Sequence, residues 1–197
     1  MYEHDEEIIR NRLLKVLVED PTMILVLKNK YITDDLWKFC IEREPSLFQE
    51  MKNPSEEMCE FALHADGSNL KYIRKNFPYI KITKKMAYIS ILSCPKAILY
   101  VPDKILDEGL KEMAFEKDPS LMKEFKYIRP DYINKKIIEN PANIKYINNP
   151  DEDLVCNALI IEPNVCVYFE KLTPRMISTL QQYHPQFLDL YQNILAQ

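Results

Sequence analysis

The side chains able to attack a substrate, move a proton or hold a metal are few here and widely scattered. Three histidines (His4, His64, His184) and five cysteines (Cys40, Cys59, Cys94, Cys156, Cys166) stand among 197 residues. Only Cys59 and His64 are close in sequence, and five residues along a helix set them about 140° apart. A thiolate with its base, or two ligands of one metal, must converge, so this pair reads as a core thiol beside a surface imidazole. His184 fills a capping position directly before Pro185. Two glycines leave no room for a phosphate-cradling loop, and neither HExxH nor GxSxG occurs. No catalytic residue, metal site or cofactor is expected.

Charge and tyrosine carry more of the signal. Residues 31–66 hold nine acidic and three basic side chains, whereas residues 67–102 hold seven basic and none acidic, a contrast hidden by the formal net charge of -4. The carboxylates Asp34, Asp35, Glu56, Glu57 and Glu60 fit a surface that docks a basic partner, such as the DNA-reading part of a transcription factor. For any one of these carboxylates a solvated face is the simpler reading, because acidic residues in first helical turns complement the macrodipole. On the basic side stand Lys71, Arg74, Lys75, Lys81, Lys84 and Lys85, interleaved with Tyr72, Phe77, Tyr79 and Tyr88. That mixture is the alternative: a nucleic-acid grip in which lysines follow the backbone and rings stack on bases.

These residues are positioned by a repeat. A proline or glycine recurs at Pro21, Pro45, Gly67, Pro95, Pro119, Pro141, Pro163 and Pro185, at intervals of 24, 22, 28, 24, 22, 22 and 22 residues. Apolar residues follow each anchor at plus three (Ile24, Phe48, Leu70, Ile98, Met122, Ile144, Cys166, Leu188) and plus six (Leu27, Met51, Ile73, Val101, Phe125, Ile147, Phe169, Tyr191), one face of a short helix. Nine and four residues before the anchor lie further apolar positions, with small residues such as Cys40, Ala62, Ser90, Ala114 and Ala158 between them. Thr33, Ser55, Thr83, Asp107, Asp151 and Thr173, twelve before the anchor, are N-caps. The acidic or amide residue just before the anchor caps the second helix, whose proline loses no needed amide proton at the first turn.

Each unit is therefore a helix of about ten residues, a tight turn and a helix of about seven. Such short helices need neighbours to cover their apolar faces. The predicted architecture is all-α, an α-solenoid of about eight helix-turn-helix repeats forming one domain over 1–197. Residues 1–30 are the N-terminal cap repeat, 31–171 the central repeats and 172–197 the C-terminal cap repeat. Tyr72, Tyr100, Tyr146 and Tyr168 each follow an anchor by five, so they read as a ladder, either a contact surface or rings packed on the next unit. The spacing of 28 marks an inserted loop, Asn76 to Lys81. No apolar run is long enough to span a bilayer and the acidic start lacks the features of a signal peptide, so a soluble cytoplasmic protein with reduced thiols is expected.

The segments PSEEMCEFALHADGSNLKYI (Pro54 to Ile73) and ITDDLWKFCIEREPSLFQEM (Ile32 to Met51) resemble a short helical repeat found in phage, giant-virus and some bacterial or protist proteins. The resemblance covers most of the chain and implies architecture without a particular ligand. Ser90 and Lys136, standing where the repeat has alanine, and the longer third unit depart from its pattern. With 22 isoleucines and 20 lysines against 8 alanines, the composition suggests an AT-rich genome and fits a phage of a low-GC bacterium. By that analogy the expected partner is a host protein, with the sigma subunit of RNA polymerase as an example, bound through the charged N-terminal half and the tyrosine row. A self-associating structural rod is a further alternative.

Overall fold

The computed structural model of the chain describes residues 2–187. The expected core positions Leu188 and Tyr191 of the last unit lie outside the described residues. Regular structure is helical throughout the described residues, with no strand. The long helices are α1 (Tyr2–Glu19), α2 (Asp34–Arg43), α3 (Glu56–Ala65), α5 (Lys84–Ser93), α6 (Glu108–Lys117), α7 (Pro130–Glu139), α8 (Glu152–Ile161) and α9 (Pro174–Tyr183), with the shorter α4 (Leu70–Asn76) in the third unit. The chain is an all-α helical repeat of short helices packed in series.

The six N-caps assigned from the sequence all bond the amide three residues on: Thr33 to Leu36, Ser55 to Met58, Thr83 to Met86, Asp107 to Leu110, Asp151 to Leu154 and Thr173 to Met176. Before the anchors, Asp20, Asp66, Asp118 and Asn140 accept from the amide two residues on. Glu44 and Glu162 form no such cap. Their extra methylene carries the carboxylate past the amides, and Glu44 accepts from the Ser46 hydroxyl at 2.5 Å instead.

The second helix of the unit differs from expectation. At six anchors it is a six-residue 3-10 helix: Pro21–Val26, Pro45–Glu50, Pro95–Tyr100, Pro119–Glu124, Pro141–Tyr146 and Pro163–Tyr168. Its bonds run from i+3 to i, as from Leu47 N to Glu44 O (3.0 Å) and Met51 N to Phe48 O (3.2 Å). About three residues per turn places the anchor and the plus-three and plus-six residues in one line, a closer match to the spacing than an α-helix gives. Among the described residues only the third unit continues its 3-10 turn, Gly67–Asn69, into an α-helix, α4, and this helix with the loop after it takes up the longer spacing.

The plus-three residues Ile24, Phe48, Leu70, Ile98, Met122, Ile144 and Cys166 are all buried, as are Leu36, Met58, Met86, Leu110, Tyr132, Leu154 and Met176 nine before the anchors and Leu17, Ile41, Leu63, Ile91, Phe115, Ile137 and Leu159 four before them; Arg12 and Gln181, at the same places in the first and last units, are exposed. Each large aliphatic or aromatic side chain so covered contributes about 1.5–3 kcal/mol. The plus-six residues divide: Met51, Ile73 and Val101 are buried, and Leu27, Phe125, Ile147 and Phe169 are half-buried. A buried position at plus two went unread in the sequence: Leu47, Asn69, Ala97, Leu121, Asn143 and Val165. Asn53 and Asn149, each before a proline, turn the chain with φ of 54° and 49°, a left-handed conformation that asparagine tolerates.

Two compact units are distinguished, Met1–Lys117 and Asp118–Gln197. In the first, α2 packs on α3, α3 on α5 and α5 on α6; in the second, α7 packs on α8 and α8 on α9. No helix among the described residues is long and apolar enough to cross a membrane.

Candidate interaction surfaces

Opposite charges meet across consecutive long helices. Lys38 of α2 donates to Glu57 of α3 at 2.7 Å, Lys85 of α5 donates to Glu60 of α3 at 2.5 Å, and Lys84 of α5 pairs with Asp107, the cap of α6. Arg10 of α1 reaches Asp35 of α2 at 3.4 Å. The second unit repeats the device, with Arg175 of α9 at 2.5 Å from Asp153 and 3.9 Å from Glu152 of α8. The hydrogen bond from Lys38 holds the Glu57 carboxyl below its ordinary range, and the same bond raises Lys38. Lys84, then the Leu110 amide, likewise lower Asp107.

This seam uses much of the charge that the sequence offered to a partner. Asp35, Glu57 and Glu60 are engaged within the chain. Asp34 and Glu56 are exposed in the first turns of α2 and α3 and form no ion pair with another described residue. Among the basic residues Lys84 and Lys85 are paired, whereas Arg74, Lys75 and Lys81 are exposed with no ion pair to a described residue.

The inserted loop turns its first ring inward. Phe77 is buried with its ring edge-on to Phe48 at 5.4 Å between centroids, and the Tyr79 ring lies 6.3 Å from Phe77. The Tyr79 hydroxyl donates to the Pro54 carbonyl at 3.3 Å. Phe77 thus closes the longer loop and is not presented for stacking on a base.

Tyr100, Tyr146 and Tyr168 end their 3-10 helices, whereas Tyr72 lies within α4; Tyr72 and Tyr146 are half-buried, and Tyr100 (38%) and Tyr168 (42%) are more exposed. In the second unit Lys145 holds two repeats together: its Nζ is 5.0 Å from the Tyr146 ring centroid and 5.2 Å from that of Tyr168. In the first unit Lys71 stands 4.5 Å from the Tyr72 ring. Hydrogen bonding to the adjacent tyrosine is the main cause that raises each lysine above its ordinary value. Beside the outer rings stand exposed aliphatic residues, Leu99 before Tyr100 and Val167 before Tyr168. The sequence displayed these neighbours one residue before each tyrosine, but a search for core periodicity passes over exposed positions.

Burial pushes the Cys40 thiol up to about 11 and the Cys59 thiol to about 12. His64 is exposed on α3, and His184 Nε2 lies 2.9 Å from the Ile160 carbonyl at the end of α8. No group of three or more His, Cys, Asp or Glu among the described residues is arranged to hold a metal. Comparison of the chain with protein-family models, with curated proteins and with solved structures finds no match.

Proposed function

We propose that the chain is a non-enzymatic, protein-binding repeat protein that meets its partner through the tyrosines at the ends of its 3-10 helices, within each of the two compact units. The observation that carries this reading is Lys145 held against the rings of Tyr146 and Tyr168 on successive repeats. Rings held in place in advance offer contact area with little entropy left to lose. Exposed Leu99 and Val167 enlarge the apolar part of that surface within their own units. The free carboxylates Asp34 and Glu56 add a smaller acidic contribution. Inhibition of a host factor by a phage-encoded protein, with the sigma subunit of RNA polymerase as one example, is the specific form this reading takes.

The test is capture from the lysate of a candidate host, identified by mass spectrometry, with two variant sets. Replacing Leu99, Tyr100, Val167 and Tyr168 by serine is expected to abolish capture while helical circular dichroism is kept. Asp34→Lys with Glu56→Lys is expected to weaken it only in part. Unchanged capture by the serine variant overturns the tyrosines as the binding surface. Exposed Arg74, Lys75 and Lys81 favour the second reading, nucleic-acid binding, for which a gel shift weakened by salt and by alanine at these three positions is the evidence.

A further inference from the structure

One constellation of side chains occurs once in each compact unit, at the same repeat positions. A Lys-Tyr pair at plus four and plus five of one repeat, Lys71-Tyr72 or Lys145-Tyr146, is followed in the next repeat by an aliphatic residue and a tyrosine, Leu99-Tyr100 or Val167-Tyr168. In the first unit α4 packs on Pro95–Tyr100; in the second, Pro141–Tyr146 packs on Pro163–Tyr168. Lys145 Nζ lies 5.0 Å and 5.2 Å from the centroids of its two rings, and Lys71 Nζ 4.5 Å from that of Tyr72. Tyr100 stands near enough to Lys71 to add to the rise in its pKa, as Tyr168 does for Lys145.

These two ammonium groups differ from the lysines of the long helices in lacking a carboxylate. Lys38, Lys84, Lys85, Lys111 and Lys136 each pair with one, whereas Lys71 and Lys145 form no ion pair with a described residue. Asp66 acts on Lys71 less than either tyrosine does, and its carboxylate is taken up by the Ser68 amide at 2.8 Å and the Ser68 hydroxyl at 2.7 Å. An ammonium held against rings has its long side chain ordered before a ligand arrives, so an incoming anion loses less of its binding to that cost. Lysine brings three N–H donors and each phenol one O–H, a set that suits a single carboxylate. A phosphodiester backbone suits only the first copy. There the exposed Arg74 and Lys75 follow Tyr72 closely, whereas in the second unit uncharged Asn148 and Asn149 follow Tyr146 and exposed Glu170 follows Tyr168.

We infer that each copy receives the carboxylate of an Asp or Glu from an extended partner segment on its lysine, between the two phenols, with an apolar side chain of that segment on Leu99 or Val167. The inference rests on the reading that the tyrosines meet a protein partner, and it supplies that partner's chemistry. Side chains two residues apart on an extended segment share a face and stand about 7 Å from each other. Packed helices lie about 8–10 Å apart, so an acidic and an apolar residue at that spacing reach the lysine of one repeat and the aliphatic residue of the next. Charge complementarity selects the acid, and the exposed aliphatic beside each outer ring selects its apolar neighbour.

The test follows the leucine and valine methyl resonances of the full chain by two-dimensional NMR. The titrant is acetyl-Leu-Gly-Glu-Gly-Leu-amide, which offers an apolar residue on either side of the acid, and its glutamine counterpart is the control. Saturable shifts at Leu99 and Val167 are expected with the glutamate peptide, and an affinity roughly fivefold lower with glutamine. Lys71→Met is expected to remove the shifts at Leu99 and spare those at Val167, and Lys145→Met the reverse, so the untouched copy reports that each variant is folded. Inorganic phosphate at the same ionic strength is expected to leave both methyls near their starting positions. Equal affinity for the two peptides, no saturation, shifts that survive both substitutions, or phosphate shifts matching those of the peptide would each overturn the inference. So would capture of a host partner by Lys71→Met with Lys145→Met where the serine variant captures none, an outcome that leaves the tyrosine surface standing.

Discussion

Gly67 lies so close to Ser90 that a Cβ added to the glycine would stand 2.0 Å from the serine carbonyl oxygen. Two irregularities of the repeat, glycine at an anchor otherwise held by proline and serine where alanine is usual, are thus one contact. Ser90 is fully buried and its hydroxyl donates to the Met86 carbonyl at 2.7 Å. The Gly67 amide also donates to Ser93 Oγ at 3.2 Å, a bond that proline cannot make. Because the obstructing atom is backbone, Gly67→Ala should destabilise the protein by about 1–3 kcal/mol or more, and Gly67→Pro further. Urea unfolding reads this as a lower midpoint at unchanged slope; an unchanged midpoint for Gly67→Ala would show that the approach is looser.

The two asparagines at plus two make a graded prediction. Asn69 donates to the carbonyls of Ala62 (3.0 Å) and Pro45 (3.3 Å), whereas Asn143 donates to Lys136 O alone (3.1 Å). Each bond contributes roughly 0.5–1.5 kcal/mol, and the Ala62 and Lys136 carbonyls keep a backbone donor, from Asp66 and Asn140. Asn69→Ala should therefore cost about 1–3 kcal/mol and Asn143→Ala about half as much. Equal losses in thermal unfolding would mean that the bond to Pro45 contributes nothing.

How legible this was can be followed residue by residue. Thr33, Ser55, Thr83, Asp107, Asp151 and Thr173 were readable as caps because a cap is a local event, settled by residues three apart. The buried set at plus three and at nine and four before the anchor was readable because a repeat states each core position several times over. Asn69 and Asn143 were not, since a polar residue at a core position breaks the apolar pattern that betrays it. The Glu57–Lys38 and Glu60–Lys85 pairs were hidden for another reason: their partners lie 19 and 25 residues apart, and a charge count shows neither that Lys38 reaches Glu57 within the acidic stretch nor that the acidic and basic stretches meet at Glu60 and Lys85. The 3-10 geometry was implicit in the plus-three, plus-six spacing, which an α-helix also satisfies loosely.

Charge exchange across the α3–α5 seam gives a third prediction. Lys85→Glu places a carboxylate beside Glu60 and should lower the melting temperature by a few degrees in low salt, whereas Lys85→Glu with Glu60→Lys should restore most of the loss. Both differences should shrink in 1 M salt, where the screening length falls to about 3 Å. A single variant indistinguishable from the parent in low salt would remove the seam as a source of stability.

Acidity should act on the same seam with a definite sign. Glu57 and Asp107 titrate below their ordinary values in the folded chain, so each contributes stability that is present above the unfolded carboxylate pKa and is lost as pH falls through the folded one. Lys38 is raised, so its share is complete below its unfolded value and is lost as pH rises through the folded one. Melting temperature should therefore decline below about pH 4, and the decline should be shallower in Lys38→Met with Lys84→Met, which lacks the two lysines that depress these carboxyls. A variant curve parallel to that of the parent would assign acid unfolding to other groups.

The thiols give the last prediction, because burial and titration act on them in the same direction. With pKa values of about 12 and 11, the thiolate fraction at pH 8 is on the order of 10⁻⁴ for Cys59 and 10⁻³ for Cys40, and the thiolate is the form that reacts. Both side chains are also fully buried, whereas Cys94, directly before Pro95, is half-buried. Iodoacetamide on the native protein should therefore modify Cys94 first, with Cys40 and Cys59 reacting only after denaturant is added. Peptide mass spectrometry over a time course reads the order directly. Labelling of Cys59 at the rate of Cys94 in the native protein would mean that α3 opens readily from its neighbours, against the close packing of Met58, Ala62 and Leu63 that the buried core implies.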